Sequence, residues 1–454
     1  MLIGGNWVQA SDGKTFESFN PATGEVWSKV PEATEADVNL AVKAAEEALD
    51  GEWSKMTPTQ RGKCLHRLGD LLAENSEHLG RIETTDTGKM FKETAWQSTY
   101  IAEFLHFFAG AADKIHGDTL PIDKPDMFVF TDREPLGVVA AVVPWNSQMF
   151  LSATKIGPAL AAGNTIVLKA SEHASAPLLE FGKLIEQAGI PAGVVNIITG
   201  HGEPCAENFA EISLELGGKS PFIVFDDANI ESAVNGSVAG IFAATGQSCV
   251  AGSRLYLHED IADEFLEKMV AIASKIKIGD PQADETEMGP LCTQGQLDHI
   301  ESQVSLAQDE GGKLLVGGKR PEMDGLYFEP TIIDCPRQDM TIVDTELFGP
   351  VLSVQRFKTE EEAVALANDT KHGLAAGIFT RDSARSIRMS KKVKAGIVWV
   401  NTYRVISPIA EFGGMKTSGY GRESGLQALY DYTRPKTVWM NLSDEPLANP
   451  FKPR

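Results

Sequence analysis

The sequence predicts an α/β fold in which strands and helices alternate along most of the chain. A continuous apolar run at 138–143 has the character of a strand that is buried on both faces of a parallel sheet. The four elements that follow it read as helix, strand, helix and strand: 150–162, 165–169, 176–188 and 194–198. A second alternation begins near Ser220 and continues to Asn401. This order is typical of doubly wound sheets and predicts two α/β domains.

Length and composition restrict the class of protein. The chain has 454 residues, of which 43% are hydrophobic and 23% charged, and this indicates a globular protein with substantial cores. A net charge of −22 argues against binding to nucleic acid or to an anionic membrane. The N-terminus lacks a signal-peptide pattern, and no apolar run reaches the roughly 18 residues of a membrane span. We therefore expect a cytoplasmic protein.

The cysteines give no sign of a metal site. They are scattered and odd in number, which favours a reducing compartment and does not match zinc-ligand spacing: Cys64, Cys205, Cys249, Cys292 and Cys335. On this basis no metal is expected.

The N-terminal third is predicted to be scaffold. Short strands cover 1–30, broken by turns at 11–13 and 20–24. Thr34 is placed to cap a helix that continues to about Ala48, and three further helical patterns follow: 58–78, 79–88 and 91–114. The segment 117–136 is predicted to be an extended hairpin.

The stretch with the strongest chemical signature surrounds Cys249. Small and polar residues flank this cysteine, and Glu215 lies 34 positions earlier in Leu-Glu-Leu-Gly-Gly-Lys. A thiolate is a strong nucleophile, and a carboxylate nearby would take a proton from the thiol or from water. The alternatives are a buried structural cysteine and a glutamate that serves in a salt bridge.

Gly-Gln-Ser-Cys at 246–249, together with the Leu-Glu-Leu-Gly-Gly-Lys motif, resembles the aldehyde dehydrogenase superfamily. The resemblance also includes the segments 4–7 and 20–25 and the late glycine-rich motif 412–423, so it spans nearly the whole chain. It implies an aldehyde dehydrogenase-like α/β fold, with a Rossmann-type cofactor domain, an α/β catalytic domain and an oligomerisation hairpin. The implied division is 1–116 and 137–217 for cofactor, 218–410 for catalysis, 117–136 and 430–454 for oligomerisation, and 411–429 as a return to the cofactor domain.

The resemblance implies a reaction through a covalent intermediate. Cys249 would attack the aldehyde and Asn146 would donate to the resulting oxyanion. After hydride transfer to the cofactor, Glu215 would activate the water that hydrolyses the thioester to a carboxylic acid. Asn146 as a plain turn residue is the alternative for that position.

A dinucleotide cofactor is implied although no G-x-G-x-x-G follows the first strand. Lys169, Ser171 and Glu172 resemble the family motif that holds the adenosine ribose, although a surface Lys/Glu pair at a helix start is the alternative. A carboxylate there would repel a 2′-phosphate, so NAD is favoured over NADP. The other cofactor positions implied by the resemblance are Pro144, Trp145, Gly200, Gly202, Glu346 and Phe348.

The substrate positions implied by the resemblance form a mostly apolar channel: Phe150, Leu151, Thr154, Ser248, Val250, Ile406 and Phe412. Arg404 lies near its mouth, either to attract an acidic aldehyde or simply as a solvated side chain. The implied partners are a small aldehyde and further copies of the chain, in a homo-dimer or tetramer. In this arrangement the hairpin would pair with the C-terminal strand of a neighbouring subunit.

The sequence departs from the family between Gly200 and Leu214. The family has a longer segment there, with a helix, a strand and a turn that meets the cofactor pyrophosphate. We expect residues to be missing between Cys205 and Ala206, visible as a wide Cα separation within 203–208. Three functions follow: a hydrolytic NAD-dependent aldehyde dehydrogenase, an inactive member with a binding or structural role, and an acyltransferase, which Glu215 disfavours.

Overall fold

The computed structural model describes residues 1–202, 212–447 and 451. Within them the strands form one five-stranded sheet, one seven-stranded sheet, one three-stranded sheet and two short two-stranded pairs. The predicted gap near Cys205 and Ala206 lies outside the described residues. Within the described residues, no helix is both long and apolar enough to cross a membrane.

The five-stranded sheet contains the first predicted alternation. Its strands are β1 (Leu2–Ile3), β2 (Asn6–Trp7), β7 (Val138–Val142), β8 (Thr165–Lys169) and β9 (Val195–Ile198). Their order in the sheet is β2-β1-β9-β8-β7, with β7, β8 and β9 parallel and β1 antiparallel to β9. The carboxyl ends of β7, β8 and β9 therefore meet at one edge, where ligands bind in such sheets.

The expectation that 138–143 is buried on both faces was wrong. β7 is the last strand of its sheet and pairs only with β8 within the described residues. Val142 is 59% exposed, and Val138 and Val139 are half-buried. Burial on both faces requires packed layers over each face of the sheet, and this edge strand is only partly covered.

Six helices belong to the N-terminal half: α1 (Glu35–Leu49), α2 (Pro58–Glu74), α3 (Ser76–Thr87), α4 (Phe91–Ala111), α5 (Gln148–Ala162) and α6 (Ala176–Gln187). The predicted cap of α1 is confirmed, since Thr34 and Asp37 form a reciprocal capping box. The boundary predicted at 78/79 lies earlier, because α2 ends at Glu74 and Asn75 separates it from α3. Leu65, Leu68, Leu105 and Phe108 are fully buried in the core that these helices share.

The second alternation forms the seven-stranded sheet: β11 (Pro221–Val224), β12 (Arg254–His258), β13 (Lys313–Val316), β14 (Thr331–Asp334), β15 (Val351–Phe357), β16 (Ala375–Phe379) and β17 (Ile397–Val400). The strand order is β13-β14-β15-β12-β11-β16-β17, and every pair except β13–β14 is parallel. The helices of this half are α7 (Ile230–Phe242), α8 (Glu259–Ala273), α9 (Gln294–Asp309), α10 (Thr341–Asp344), α11 (Glu360–Asn368) and α12 (Ser383–Lys392).

The predicted hairpin and C-terminal strand do pair, but within one chain. β5 (Thr119–Leu120), β6 (Met127–Pro135) and β19 (Thr433–Asn441) form a sheet in the order β19-β6-β5. The prediction that β19 is supplied by a neighbouring subunit was therefore wrong. A short helix, α13 (Gln427–Asp431), brings the chain back to the start of β19, where Leu136 and Asn164 both donate to the carbonyl of Tyr432.

Two short antiparallel pairs complete the strands. β3 (Thr15–Asn20) pairs with β4 (Glu25–Pro31), as the turn at 20–24 predicts. β10 (Leu214–Glu215) pairs with β18 (Gly419–Tyr420), and this joins the Leu-Glu-Leu-Gly-Gly-Lys segment to the late glycine-rich motif.

Candidate active site

Cys249 lies in a strained loop that follows α7. Ala244 and Thr245 both adopt left-handed backbone angles, with φ of 53° and 55°, and Gly246 follows at 71°. Left-handed backbone at residues other than glycine costs free energy and is concentrated at functional sites. The loop that contains the cysteine is therefore held in a strained backbone conformation.

The side chain of Gln247 fixes this loop, a role that the sequence motif did not reveal. Its Oε1 accepts from the backbone N–H of Cys292 at 2.8 Å, and its Nε2 donates to the carbonyl of Pro290 at 3.3 Å. Thr245 donates its hydroxyl to the carbonyl of Gly289 at 3.1 Å. The only sequence signal was a long polar side chain two positions before the nucleophile.

The paired glycines at 217 and 218 allow three segments to meet. A Cβ on Gly218 would lie 2.5 Å from the carbonyl oxygen of Cys249, and one on Gly217 would lie 1.8 Å from Oε2 of Glu346. The N–H of Gly218 donates to Oε1 of Glu346 at 2.9 Å. Because no larger residue fits at either position, the glycines bring the predicted cofactor residue Glu346 beside the cysteine loop.

Asn146 reaches the same loop from the end of the first sheet. It follows β7 by four residues, is buried, and donates Nδ2 to the carbonyl of Gln247 at 3.2 Å. No acceptor for the backbone N–H of Cys249 occurs among the described residues. Two N–H groups of this loop and its neighbour therefore remain able to donate: the second proton of the Asn146 amide and the Cys249 backbone N–H.

The thiol of Cys249 is protonated in this surrounding. Burial, together with the smaller effects of the Glu346 and Glu215 carboxylates, raises its pKa to about 12. A thiol with so high a pKa needs a base before it attacks a carbonyl carbon. The two carboxylates that act on this thiol are Glu346, with the larger effect, and Glu215.

Glu215 is placed by β10 opposite Gly419, and Gly413 leaves the space for its carboxylate. A Cβ on Gly413 would lie 2.7 Å from Oε1 of Glu215. Burial and the charge of Glu423 together raise the pKa of Glu215 to about 8, against opposing effects of Lys155 and Arg422. A carboxyl group with this pKa exchanges protons near neutral pH, as a general base must. In the described part of the chain Glu215 forms no salt bridge and neither carboxylate oxygen has a hydrogen bond of normal geometry, which favours the base over the structural alternative.

A polar cluster beside Glu215 was missed by the sequence analysis. Thr154, predicted as a substrate residue, donates its hydroxyl to Oε2 of Glu423 at 3.1 Å, and Lys155 forms an ion pair with Oε1 of the same carboxylate. Both members of this ion pair are largely buried. More than 260 positions separate the partners, so no local pattern connects them.

Apolar side chains surround the sulfur. Val250, Ile406 and Phe412 pack with Cys249 in one cluster that also contains Trp399. Phe150 and Leu151 pack against the core of the first sheet, and the Phe150 ring meets Phe104 edge-to-face at 5.0 Å. Ser248 lines a depression with Glu346 and Phe348, which places it beside predicted cofactor residues.

Arg404 binds the carboxyl end of α7. Its Nη1 donates to the carbonyls of Ala239 and Ala243 at 3.2 and 3.3 Å, at the carboxyl end of α7. A cation is favourable at that end of a helix because unpaired carbonyls collect there. This contact engages one nitrogen of the guanidinium, and the positive charge of Arg404 also acts to lower the pKa of Cys249.

Predicted cofactor residues lie at the carboxyl ends of the parallel strands. Lys169 ends β8 and its Nζ lies 2.8 Å from Oε2 of Glu172. Despite partial burial, this partner keeps the pKa of Glu172 below its ordinary value, so the carboxylate is ionised. Ser171 is buried and accepts from the N–H of His173, while Gly200 follows β9 with a left-handed φ of 145°.

The nicotinamide-side residues also come together. Trp145 and Phe348 meet edge-to-face with ring centroids 5.5 Å apart, although 203 positions separate them in the chain. Phe348 has a φ of 54°, a second strained residue at this place. Pro144 precedes Trp145 and is exposed, and Gly202 is the last residue described before 212. An aromatic pair, the Glu346 carboxylate and the ionised Glu172 fit a dinucleotide with a ring at one end and ribose hydroxyls at the other.

Fold and site together define a class: an α/β protein that presents a cysteine beside a buried carboxylate, between two sheets with ligand-binding edges. The model of the Aldehyde dehydrogenase family matches residues 7–211 and 202–438. A (Z)-2-((N-methylformamido)methylene)-5-hydroxybutyrolactone dehydrogenase from Acinetobacter baylyi is 53% identical over 467 residues, with 96% of each chain covered. An aldehyde dehydrogenase from Emericella nidulans is 40% identical over 474 residues, covering 98% of this chain and 95% of the relative. The NAD+ complex of an aldehyde dehydrogenase from Bacillus cereus superposes with a TM-score of 0.96 at 38% identity, covering 98% and 96% of the two chains. The chain belongs to the aldehyde dehydrogenase family and is an oxidoreductase of that kind.

The comparisons also bear on the departure after Gly200. The family model matches in two pieces that overlap at 202–211, and the Acinetobacter alignment spans 467 positions, more than the 454 residues of this chain. The relative therefore has residues that this chain lacks. The alternative of an inactive family member is nevertheless not supported, because the family match extends across both halves of the chain.

Proposed function

We propose that this protein oxidises a largely apolar aldehyde to a carboxylic acid with NAD, through a thioester on Cys249. The observation that carries the proposal is the meeting of Cys249, Asn146 and Glu215 on three separate segments. Glu215 acts on the pKa of Cys249, and Asn146 binds the loop two residues before it. A nucleophile, an oxyanion donor and a base are the three groups that the reaction needs.

The first step is attack by the sulfur. Cys249 gives its proton to a water molecule, and a new C–S bond forms while the C=O π bond breaks and the carbonyl oxygen becomes an oxyanion. The side-chain amide of Asn146 and the backbone N–H of Cys249 would donate to that oxygen. One such donor typically lowers a barrier by about 2.7–4 kcal/mol.

The second step is oxidation of the adduct. A bound NAD supplies the hydride acceptor, and the residues that would hold it are Lys169 and Glu172 at the adenosine end and Trp145, Glu346 and Phe348 at the nicotinamide end. The ionised Glu172 favours ribose hydroxyls over a 2′-phosphate, and this supports NAD over NADP.

The third step is hydrolysis. Glu215 takes a proton from water, the water oxygen bonds to the thioester carbon, and the C–S bond breaks to release the acid and restore Cys249. Its pKa of about 8 allows Glu215 to accept a proton near neutral pH and to release it again. Relatives that transfer the acyl group to coenzyme A usually lack this glutamate, so hydrolysis is the outcome supported here.

The surroundings of the sulfur support a largely apolar substrate. Val250, Ile406 and Phe412 are apolar, while Nη1 of Arg404 is held by helix carbonyls and the charge of Arg404 acts on Cys249. The Acinetobacter relative is named for a 5-hydroxybutyrolactone, which is uncharged as the closed ring but opens to an aldehyde that also bears a carboxylate. Hydroxylactones of this type belong in the substrate panel together with neutral and acidic aldehydes.

The assay is formation of NADH with neutral aliphatic, aromatic, lactol and acidic aldehydes, with Cys249→Ala as the control. Formation of NADH with release of free acid in the absence of coenzyme A supports the proposal. Turnover that requires coenzyme A would favour acyl transfer. Absence of NADH with every aldehyde would contradict the enzymatic proposal.

We also propose that the protein is cytoplasmic and assembles as a homo-oligomer. The four described cysteines are free thiols, and this supports a reducing cytoplasm. Within the described residues, β19 pairs with a strand on one side only, and this unpaired edge supports a homo-oligomer, either a dimer or a tetramer. The five-stranded sheet would hold the cofactor and the seven-stranded sheet would support the catalytic loop.

A further inference from the structure

Two histidines and an aspartate form a cluster away from the active site. His66 and Asp70 are four positions apart on α2, and His106 comes from α4. One ligand atom from each residue lies within 4.8 Å of the other two. No metal was expected from the sequence because the cysteines lack zinc-ligand spacing. That argument does not apply to this cluster, which contains no cysteine.

The distances in the cluster suit a single tetrahedral ion. Nδ1 of His66 lies 3.4 Å from one oxygen of Asp70, and Nε2 of His106 lies 3.1 Å from the other. Zinc binds imidazole nitrogen and carboxylate oxygen at about 2.0–2.2 Å, so neighbouring ligand atoms of a tetrahedral site are about 3.3 Å apart. Small rotations of these side chains would therefore direct all three at one ion.

The packing of α2 against α4 brings the rings together. A Cβ on Gly69 would lie 2.7 Å from two atoms of the His106 ring, so a glycine is needed where that ring crosses α2. The rings of His66 and His106 stack with centroids 4.1 Å apart and an angle of 21°. Gly62, two turns earlier, makes a similar close approach to the carbonyl of Ala109. The two helices thus hold the ligands in place before any ion arrives.

The neighbouring charges leave the cluster open to a cation. The nearby Arg67 is engaged by Glu74 at 2.9 Å, and within the described residues the ion-pair partners of Asp70 are the two histidines. Nε2 of His106 also lies 3.2 Å from the carbonyl of His66, a contact that a metal would replace. His66 is exposed and the other two residues are half-buried, so an ion would enter from solvent and keep water as its fourth ligand.

We propose that His66, Asp70 and His106 bind one zinc ion, or a similar divalent transition metal, that clamps α2 to α4. Two imidazoles and a carboxylate select such metals over magnesium, which prefers oxygen ligands. The ion takes no part in aldehyde chemistry. It stabilises the folded chain, because a ligand that binds only the folded state shifts the unfolding equilibrium.

The test uses the full chain with Cys249→Ala, which removes the reactive thiol as a competing ligand. After chelator treatment, equilibrium dialysis with zinc is expected to give one tight site per chain, and zinc but not magnesium is expected to raise Tm. His106→Gln and Asp70→Asn are each expected to weaken this site by about tenfold or more. The matched control is His78→Gln, an exposed histidine that pairs with Glu180 at 3.1 Å and should leave zinc affinity unchanged.

Circular dichroism of each variant without metal establishes that it is folded. Unchanged zinc affinity in folded His106→Gln and Asp70→Asn would overturn the proposal, as would a folded parent chain that binds no zinc. Equal loss in His78→Gln would also overturn it, because the effect would then belong to surface histidines in general.

Discussion

Glu423 acts on Glu215: its negative charge adds to the effect of burial, and the pKa of Glu215 is raised to about 8. Glu423 is itself held by the hydroxyl of Thr154 at 3.1 Å and by the ammonium group of Lys155. Glu215 activates water only when it is ionised. If hydrolysis limits turnover, kcat should therefore rise with pH and level off above about 8.

Glu423→Gln should move this rise to lower pH. The variant removes a repulsive charge and leaves Lys155 free to stabilise ionised Glu215, so both effects lower the pKa of that base. The pH profile of kcat measures the shift. Glu180→Gln is the control, since Glu180 pairs with Lys183 at 2.6 Å far from the site. A rise that moves to higher pH in Glu423→Gln would contradict the electrostatic account.

Cys249→Ala should abolish aldehyde oxidation and leave NAD binding intact, because the thiol forms the covalent bond and the proposed cofactor residues lie elsewhere. Turnover is expected to fall by at least about a thousandfold. Cys64→Ala is the control, since Cys64 is buried on α2 and approaches the carbonyl of Gly189. Residual activity above about a thousandth of wild type would show that another group is the nucleophile.

Glu172→Gln should reduce the preference for NAD over NADP by about tenfold, because a hydrogen bond to a charged acceptor contributes about 1.5–3 kcal/mol and the repulsion of a 2′-phosphate is removed. Dissociation constants for both cofactors, measured by fluorescence titration, test this. The exposed Glu186 on α6, the helix that follows Glu172, is changed to Gln as the control. An unchanged ratio of constants would mean that Glu172 does not meet the ribose.

The free edge of β19 predicts assembly. This nine-residue strand pairs on one side with β6, and within the described residues its other side has no partner. Trp439, 56% exposed, lies on it, and an open apolar edge is an association site. Light scattering should show a homo-oligomer, and Trp439→Glu should weaken it. Ile387→Glu, on α12 and 58% exposed, should not. A wild-type monomer at micromolar concentration would refute the prediction.

Local sequence patterns predicted the elements well, because capping and periodicity act over short distances. Thr34 caps α1 as expected, and β8 and β9 lie where apolar runs bounded by turns placed them. The motifs around Cys249, Glu346 and Glu215 indicated residues that do lie together, although their roles were implied by the family resemblance alone.

Features that depend on distant pairing could not be predicted. The exposure of β7 depends on which strand lies beside it, and the partner of β19 depends on where α13 returns the chain. Lys155 and Glu423 meet across 268 positions. The role of Gln247 depends on the 289–292 segment, which no motif connected to the cysteine loop.

The central claim is that the aldehyde carbon becomes a thioester on Cys249 which Glu215 then hydrolyses. Glu215→Gln should allow formation of this thioester and block its hydrolysis, so a burst of NADH should precede slow turnover. The direct measurement is intact-protein and peptide mass spectrometry of Glu215→Gln after mixing with NAD and an aldehyde substrate. The account predicts a mass gain equal to the aldehyde less two hydrogens, located on Cys249. An unmodified Cys249, or the same gain on Cys64, Cys292 or Cys335, would contradict it.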